Sequence, residues 1–265
     1  MSEFSLLSLN TFGLPLFLGW SRLTRLMGQL DQFPTSVVCL QEIQQNAYVP
    51  LIHRGLPQHK HHACEHNWFA PKGGLFTAAR QPFLSSEFVA YENRGRALSA
   101  GIADWALNKG VLVSRLESGG RAIVIMNTHL HANYAAHWER GDAMSKIQRD
   151  QVLHLARMIN DQPSDALVIV CGDFNFPRST FLYDELVAEA KVIDPLAADP
   201  RPTYRPFPLI PQKYALPIDF CFVRVPAWRG LELRADIVEI EDTTKTFRAQ
   251  RFLTDHNALT LHVTW

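Results

Sequence analysis

Short apolar segments recur along the whole chain, and many of them stop at a polar residue. These segments are rich in Val, Ile, Leu and Phe and are bounded by turn-forming residues, which is typical of β-strands. Strands are therefore predicted over residues 4–9, 36–41, 63–69, 74–80, 110–116, 121–129, 167–172, 217–224, 231–240 and 257–264. So many short strands constrain the chain to a fold built on β-sheets.

Three segments have the apolar spacing of amphipathic helices. The clearest covers residues 142–160, where apolar residues recur at helical spacing and line one face. Helices are also predicted near 19–31 and over 179–190. Strands interspersed with helices indicate a mixed α/β fold. Because the chain has no internal repeat and no long linker, we expect a single domain over residues 1–265.

Composition limits the classes of function that the chain can have. Hydrophobic residues make up 47% of the 265 residues, which is enough for a sizeable core. The 26 Lys and Arg balance the 26 Asp and Glu, which disfavours a dedicated nucleic-acid binder because such proteins usually carry a basic excess. No segment has the ~20 apolar residues that span a bilayer, and residues 1–4 do not resemble a signal peptide. We therefore expect a cytoplasmic protein without a transmembrane segment, able to lie at the periphery of a membrane.

Cysteines and clustered histidines are the other candidate ligand sets. Cys39, Cys64, Cys171 and Cys221 contain no CxxC pair, and all but Cys64 lie in apolar runs. We expect buried free thiols, because zinc sites require clustered ligands. The stretch His59-Lys60-His61-His62 has no carboxylate or cysteine at ligand spacing, so a solvated loop leading into a strand is favoured over a metal site.

Eight polar residues stand at the ends of predicted strands or next to them. One such residue would be an ordinary turn former or helix cap. In layered α/β folds, however, the strand ends at one edge converge to form a site. This set contains carboxylates suited to a hard cation and imidazoles suited to proton transfer. Its members are Asn10, Glu42, His129, Asp173, Asn175, Asp219, Asp255 and His256.

The order of these motifs resembles that of the endonuclease/exonuclease/phosphatase superfamily. The resemblance extends from near the first residue to the last strand, so it covers essentially the whole chain. It implies an α/β fold with four layers, an α/β/β/α sandwich of two mixed β-sheets flanked by helices. The matching segments are Leu9-Asn10-Thr11, Leu40-Gln41-Glu42-Ile43, Asn127-Thr128-His129-Leu130, Cys171-Gly172-Asp173-Phe174-Asn175, Ile218-Asp219-Phe220 and Thr254-Asp255-His256-Asn257-Ala258.

Within that superfamily the chain is most similar to the neutral sphingomyelinase branch. Phe12 stands where abasic-site nucleases usually carry an acidic residue, which argues against that group. A deoxyribonuclease of the pancreatic type stays open, since it also has a histidine at the position of His129. The similarity to the sphingomyelinase branch is carried by residues 10–15, 109–112 and 127–134 and by Gln148, Arg149 and Gln151.

The resemblance implies a metal-dependent hydrolase whose cofactor is Mg²⁺ or Mn²⁺. The implied metal residues are Glu42 as the main ligand, with Asn10 and Asp255. The implied catalytic residues are His256 as general base, Asp219 as its partner, His129 as proton donor, Asp173 as a positioning group for water or metal, and Asn175 as a donor to phosphate oxygens.

These features predict a phosphodiesterase that hydrolyses a phosphate ester, with a lipid head group as the favoured substrate. The alternatives are a nuclease and a non-catalytic binding domain on the same fold. A proline-rich segment, 200–217, is predicted to be either a functional loop or a loop packed over the sheet edge. Candidates for contact with a bilayer are Leu16, Phe17, Leu18, Trp20, Phe207, Leu209 and Ile210. Candidates for contact with nucleic-acid phosphates are Arg94, Arg96, Arg201 and Arg205.

Overall fold

Two β-sheets form the centre of the molecule. The computed structural model describes residues 2–13, 19–95, 108–133, 136–206, 211–242 and 252–265. The first sheet has the strand order β10-β11-β1-β2-β4-β3. Its strands are β1 (Glu3–Asn10), β2 (Val37–Gln41), β3 (His61–Ala63), β4 (Phe76–Ala79), β10 (Glu232–Val238) and β11 (Ala258–Thr264).

The second sheet contains the middle part of the chain, in the order β5-β6-β7-β8-β9. Each sheet is mixed: β1 and β2 are parallel, as are β7 and β8, and the other neighbours are antiparallel. The strands are β5 (Ser85–Ala90), β6 (Gly110–Ser118), β7 (Arg121–His129), β8 (Leu167–Asp173) and β9 (Asp219–Arg224).

Helices cover the outer face of each sheet. Helices α1 (Gly19–Leu30) and α2 (Val49–Gly55) pack on the first sheet through a cluster that includes Leu26, Ile52 and Leu40. Helices α3 (Ala143–Asn160) and α4 (Phe181–Ala190) pack on the second through Leu155, Leu186 and Val168. The predicted α/β/β/α sandwich of two mixed sheets is therefore confirmed.

Alternating side chains of the central strands explain how the layers are held together. In β7, Val124 and Met126 face the helices, whereas Ile123 and Ile125 face the other sheet, because successive side chains of a strand point to opposite faces. The layer between the sheets also holds the free, buried thiols of Cys39, Cys171 and Cys221. Burial on both faces is why these strands have almost uninterrupted apolar sequences.

The structure differs from the sequence prediction in three elements. Strand β5 was not predicted, because its first residues are polar and exposed at a sheet edge. Helix α2 was not predicted, because it is short and contains a proline in its first turn. The predicted strand 63–69 is wrong beyond Ala63: the chain turns there instead of continuing the sheet.

The histidine-rich stretch is not the solvated loop that its composition predicts. His59 is fully buried, and its Nε2 lies 2.9 Å from the carbonyl oxygen of Thr35. His61 and His62 belong to β3. In the proline-rich segment, residues 207–210 lie outside the described residues, as do Leu16, Phe17, Leu18 and Arg96. Among the helices that are described, none combines the length and the apolar character needed to traverse a bilayer.

Candidate active site

The predicted site residues meet where strands of the two sheets end side by side. Asn10 closes β1 and Glu42 follows β2, its parallel neighbour in the first sheet. In the second sheet, Asp173 of β8 is in register with His129 of β7 and with Asp219 of β9. The site therefore lies across the seam between the sheets, and neither sheet forms it alone.

The amide of Asn10 joins carboxylates from both sheets. Its Nδ2 donates to Oε1 of Glu42 and to Oδ2 of Asp173, each at 3.0 Å. Its Oδ1 accepts a hydrogen bond from the backbone N–H of Phe12 at 3.0 Å, which fixes the orientation of the amide. Asn10 is fully buried, so these bonds are shielded from water. The arrangement holds two carboxylates of like charge close together.

Asp173 lies at the centre of the cluster. Its Oδ2 is 3.5 Å from Nε2 of His129 and 3.9 Å from Nε2 of His256. Two sets of side chains have ligand atoms within 4.8 Å of one another among the described residues, and Asp173 belongs to both. One set adds Glu42 and His129, and the other adds Asp219 and His256. The structure thus brings together five of the eight predicted residues around possible cation positions.

Burial makes this carboxylate cluster electrostatically unfavourable when no cation is bound. Burial raises the pKa of Glu42, although the hydrogen bond from Asn10 opposes the shift. Burial, together with the nearby Asp219 carboxylate, raises the pKa of Asp173 to about 7. The pKa of Asp255 is also raised, mainly by burial. Closely spaced acids of this kind are a suitable donor set for a hard divalent cation, which would compensate their charge.

His256 and Asp219 form a buried dyad that spans the two sheets. Nδ1 of His256 lies 2.8 Å from Oδ2 of Asp219. Burial alone would lower the pKa of His256, but the charge and hydrogen bond of Asp219 outweigh it and raise that pKa to about 10. Because Asp219 engages Nδ1, the other ring nitrogen faces Asp173 and Asp255. An imidazole oriented in this way is a suitable general base once a cation offsets the carboxylates that favour its protonated form.

Loops on both sides hold the backbone around His256. Thr254 Oγ1 donates to the carbonyl of Asn10 at 2.7 Å, which fastens this segment to the end of β1. Arg205 donates from Nη2 to the carbonyls of Thr254 and His256, at 2.7 and 3.1 Å. The Tyr204 ring centroid lies 5.3 Å from that of His256. Arg205 and Tyr204 belong to the proline-rich segment, whose described part therefore packs against the site.

Asp255 and Asn175 lie at the margin of the cluster. Oδ1 of Asp255 is 3.9 Å from Nε2 of His256. The backbone N–H of Asn175 donates to Oδ1 of Asp173 at 2.9 Å, while its Nδ2 donates to the Leu130 carbonyl at 3.1 Å. Asn175 thereby orients Asp173 through its backbone. Its role toward phosphate oxygens stays a prediction.

The turn that carries Glu42 has an unusual backbone. Glu42 has φ 61° and Phe12 has φ 49°, a left-handed conformation that is uncommon for side chains of this size and is often found at functional sites. Gly13 packs directly on the turn, since a Cβ there would lie 1.7 Å from the Glu42 carbonyl oxygen. The two loops interlock, and this contact holds the Glu42 carboxylate at the mouth of the site.

Two features of the site were not predicted from the sequence. Lys109 is fully buried, and its positive charge opposes the rise in the pKa values of Glu42 and Asp173. Asn127 crosses between the sheets: its Oδ1 accepts from Nε2 of Gln41 at 2.7 Å, and its Nδ2 donates to the carbonyls of Leu40 and Phe76. The signals that could have identified them were a polar residue inside the apolar run of β7 and a lysine directly before the apolar run of β6.

The three arginines proposed for nucleic-acid contact that lie among the described residues are engaged by groups within the protein. Arg201 pairs with Asp199 and Asp236, at 2.7 and 2.6 Å. Arg205 stacks on Phe252, at 3.9 Å from the ring centroid, in addition to its bonds beside His256. Arg94 donates to the Asn108 side chain. These contacts do not favour a shared phosphate-binding surface.

The model of the Endonuclease/Exonuclease/phosphatase family matches residues 7–256, a span that begins in β1 and ends at the dyad histidine. The chain belongs to this family. The chain is 26% identical, over 200 residues, to a curated Drosophila melanogaster protein described as a candidate neutral sphingomyelinase. It is 31% identical, over 123 residues, to the inositol phosphosphingolipids phospholipase C of Saccharomyces cerevisiae.

These matches cover 74% and 46% of the present chain but only 45% and 25% of the two relatives. The chain thus matches less than half the length of either protein.

Solved structures of the same family fold superimpose over nearly the whole chain. Zebrafish (D. rerio) TDP2 with a single-stranded DNA product aligns with a TM-score of 0.74 at 17% identity, covering 100% of both chains. Sphingomyelinase C from Streptomyces griseocarneus gives 0.73 at 17% identity, covering 99% of both. Staphylococcus aureus beta toxin with bound magnesium ions gives 0.72 at 16% identity, covering 98% of this chain and 99% of that one. At such identities the likeness demonstrates the fold.

Proposed function

We propose that this chain hydrolyses the phosphodiester bond of a sphingolipid head group with the help of a divalent metal ion, Mg²⁺ or Mn²⁺. The observation that carries the proposal is the buried cluster in which Asn10 joins Glu42 to Asp173 beside the His256–Asp219 dyad. Both curated relatives are described as acting on sphingolipids, which supports the substrate class.

The donor set fits a hard divalent cation. Glu42 and Asp173 would hold it, with Asp255 at its margin, because carboxylate oxygens are ligands that Mg²⁺ accepts. Asn10 would keep the two carboxylates in place through its amide N–H groups. The bound magnesium in the structurally similar beta toxin supports the choice of ion. When bound, the cation would stabilise charge on the phosphoryl oxygens and offset the carboxylates around His256.

The dyad supplies the base of the reaction. Asp219 fixes the imidazole through Nδ1, so that Nε2 of neutral His256 takes a proton from the attacking water. The water oxygen bonds to phosphorus while the bond from phosphorus to the lipid oxygen breaks. His129, on the other side of Asp173, then donates the proton that the departing oxygen requires. We assign Asn175 to the phosphate oxygens, since its backbone already orients Asp173.

The test is metal-dependent release of phosphocholine from sphingomyelin vesicles, run beside nicking of supercoiled plasmid. Glu42→Gln and His256→Ala should each lower turnover about a hundredfold or more, because each removes a ligand or the base. The matched controls are Glu117→Gln and His262→Ala, exposed residues on strands outside the site, which should retain full activity.

Lipid turnover that survives both site substitutions would contradict the assigned roles. Plasmid nicking without lipid turnover would assign the same site to a nuclease. Wild-type protein that cleaves neither substrate would contradict the proposed function and would favour a binding role.

A further inference from the structure

We propose that a short hairpin beside the site docks this protein onto the interfacial region of a zwitterionic phospholipid bilayer. The hairpin comprises residues 65–72 and is called the Trp68 hairpin below. The inference rests on the proposed function only for its biological purpose, since binding to lipid can be measured in the absence of turnover.

The Trp68 hairpin is a closed structure with an aromatic tip. Three pairs of residues close it: Lys72 N–H donates to the Glu65 carbonyl at 2.6 Å, His66 pairs with Pro71, and Asn67 N–H donates to the Ala70 carbonyl at 2.8 Å. Trp68 and Phe69 occupy the turn, with ring centroids 5.1 Å apart in an edge-to-face contact. The tip therefore presents an indole supported from behind by a second ring.

The side chain of Trp68 is far more exposed to solvent than tryptophan side chains on protein surfaces usually are. Its exposed fraction is 87%, the highest among the large hydrophobic side chains of the described residues. Exposed apolar surface marks an interaction site where several such side chains lie together, and Trp68 is in contact with the half-buried Phe69. Tryptophan in particular favours the membrane–water interface, where the ring lies among apolar groups and the indole N–H stays in contact with polar ones.

The hairpin is held in place by the protein and does not have to be ordered on binding. The backbone N–H of Asn46 donates to the Phe69 carbonyl at 2.9 Å, and Asn46 Nδ2 donates to the Asn67 carbonyl at 2.8 Å. At its base, Glu65 Oε1 accepts from the backbone N–H of Phe88 at 2.7 Å. A pre-ordered contact surface binds with a smaller entropic cost.

The Trp68 hairpin lies next to the loop that carries Glu42. It connects the end of β3 to the start of β4, and Phe76 at that start is in register with Leu40, close to Glu42. The backbone N–H of Ile43 donates to the Gly74 carbonyl at 2.9 Å, which links the two loops. A bilayer that receives Trp68 would therefore lie next to the carboxylate cluster.

Trp20 adds a second aromatic residue near the same edge. It stands at the start of α1, in the segment that follows Asn10, and is 50% exposed. Its ring packs edge-to-face on Tyr48 with centroids 5.3 Å apart, and Tyr48 belongs to the segment that also holds Asn46. Trp20 and the Trp68 hairpin both contact the short segment from Asn46 to Tyr48, so the contact surface is larger than one side chain.

Charge indicates which kind of bilayer fits. Glu65 and Lys72 are the acidic and basic residues of the hairpin, and they form an ion pair at 2.8 Å. The hairpin is therefore electrically balanced, as is the whole chain, with formal net charge +0. Attraction to anionic lipids depends on clusters of Lys and Arg, which this hairpin lacks. A zwitterionic surface rich in phosphocholine head groups matches a neutral aromatic anchor.

The test is co-sedimentation with vesicles of phosphatidylcholine and sphingomyelin in the presence of a chelator, which prevents turnover. Trp68→Ser should weaken partitioning about tenfold or more, since burial of a large apolar side chain accounts for at least that factor. Trp68→Phe keeps a ring and should bind nearly as well as the wild type. Leu84→Ser is the matched control: Leu84 is 72% exposed but precedes β5 at the end of that strand away from the site. Ser85 pairs with Arg115, whereas the other end of β5 pairs with Gly110, beside the end of β7 that carries His129.

Hydrolysis of a soluble chromogenic phosphodiester separates docking from catalysis. Trp68→Ser should cleave this substrate as fast as the wild type. In the vesicle assay, added salt should not release the wild type from zwitterionic vesicles. The proposal is overturned if Trp68→Ser binds vesicles normally, if Leu84→Ser loses binding equally, or if the wild type does not bind. If the wild type binds through Trp68 but cleaves no phosphodiester, the proposed function fails while the docking surface stands.

Discussion

Asp219 is the residue that gives His256 its orientation. The two side chains meet at 2.8 Å; Asp219 begins β9 of the second sheet, and His256 lies just before β11 of the first. Asp219 is itself held in place, because its backbone N–H donates to Oγ1 of Thr203 at 2.9 Å. The dyad is thus supported from behind, and its geometry does not depend on the substrate.

Asp219→Asn is expected to lower kcat about a thousandfold while changing KM little. The amide keeps the shape of the side chain but lacks the charge that stabilises the imidazolium as it takes up a proton. Steady-state kinetics on a soluble phosphodiester measures both constants. Asp161→Asn, at the exposed end of α3, is the control. Equal losses in the two variants would contradict a specific role for Asp219.

A histidine pair away from the site predicts a dependence of stability on pH. The rings of His53 and His62 stack with centroids 3.9 Å apart. Burial, and then the neighbouring charge of His53, lowers the pKa of His62 from 6.5 to about 4. Between pH 6.5 and about 4, the unfolded chain therefore binds a proton at His62 that the folded chain does not. The free energy of unfolding consequently decreases as pH falls through this range.

Urea unfolding of the wild type and of His62→Gln between those pH values checks this prediction. As pH falls, the free energy of unfolding of the wild type should decrease more than that of the variant. Parallel profiles would show that His62 titrates equally in the folded and unfolded states.

At the scale of elements, the sequence identified the strands and helices that have a strong apolar pattern. Strands such as β8, buried on both faces, were recognised from continuous apolar runs, and α3 from its periodic face. Strand β5 and helix α2 were not predicted, because an exposed edge strand and a short helix have only a weak apolar pattern. The aromatic residues Trp68 and Phe69 misled the strand prediction, since they belong to a turn that the protein exposes.

Much of the candidate site was also accessible from the sequence, because strand ends at one edge of a sheet converge. Its finer contacts were not. The pairing of Asp219 with His256 was implied by the family resemblance and not by a local pattern, because it depends on how the sheets pack. Lys109 was quoted as part of a motif, yet only the structure reveals its complete burial beside the carboxylates.

The interlocked loops at the ends of β1 and β2 predict that Gly13→Ala impairs catalysis. The new Cβ would overlap the Glu42 carbonyl oxygen, 1.7 Å away, so the turn carrying the carboxylate must move. A displacement of about 1 Å at a catalytic group can cost about a hundredfold in rate. We expect a loss of that size, with a measurable rise in the metal concentration needed for half-maximal activity.

Gly28→Ala in α1 is the matched control, and it carries a prediction of its own. A Cβ there would meet nothing within 4 Å, and Gly28 lies on the exposed face of the helix. Alanine should leave activity unchanged and stabilise the fold by up to about 1 kcal/mol, because glycine is a poor helix former. Thermal unfolding of the two variants would distinguish these outcomes, and similar activity losses in both would contradict the steric argument.

At the scale of the whole molecule, Asn127 links the two sheets close to the site. Its side chain bonds to Gln41 and to the carbonyls of Leu40 and Phe76, all within the buried interior. Hydrophobic packing between the sheets is non-directional, whereas these bonds define how the strands of one sheet lie over those of the other.

Asn127→Ala is expected to lower the free energy of unfolding by about 3 kcal/mol, since it leaves several buried polar groups without their partner. Urea denaturation at equilibrium is the measurement. Asn160→Ala, which removes one hydrogen bond to the Glu189 carbonyl at an exposed helix end, should change stability by no more than about 0.5 kcal/mol. A small effect at Asn127 would mean that packing alone aligns the sheets.

The strand order has a consequence for how the protein is made. Strand β11 inserts between β10 and β1, so β1 acquires one of its two neighbours only when β11, the last described strand, has left the ribosome. His256 lies just before that last strand and closes the dyad with Asp219. A nascent chain thus carries every carboxylate of the cluster except Asp255 well before it holds the base. The proposed hydrolysis therefore requires a nascent chain to extend to His256, and a shorter one lacks the base.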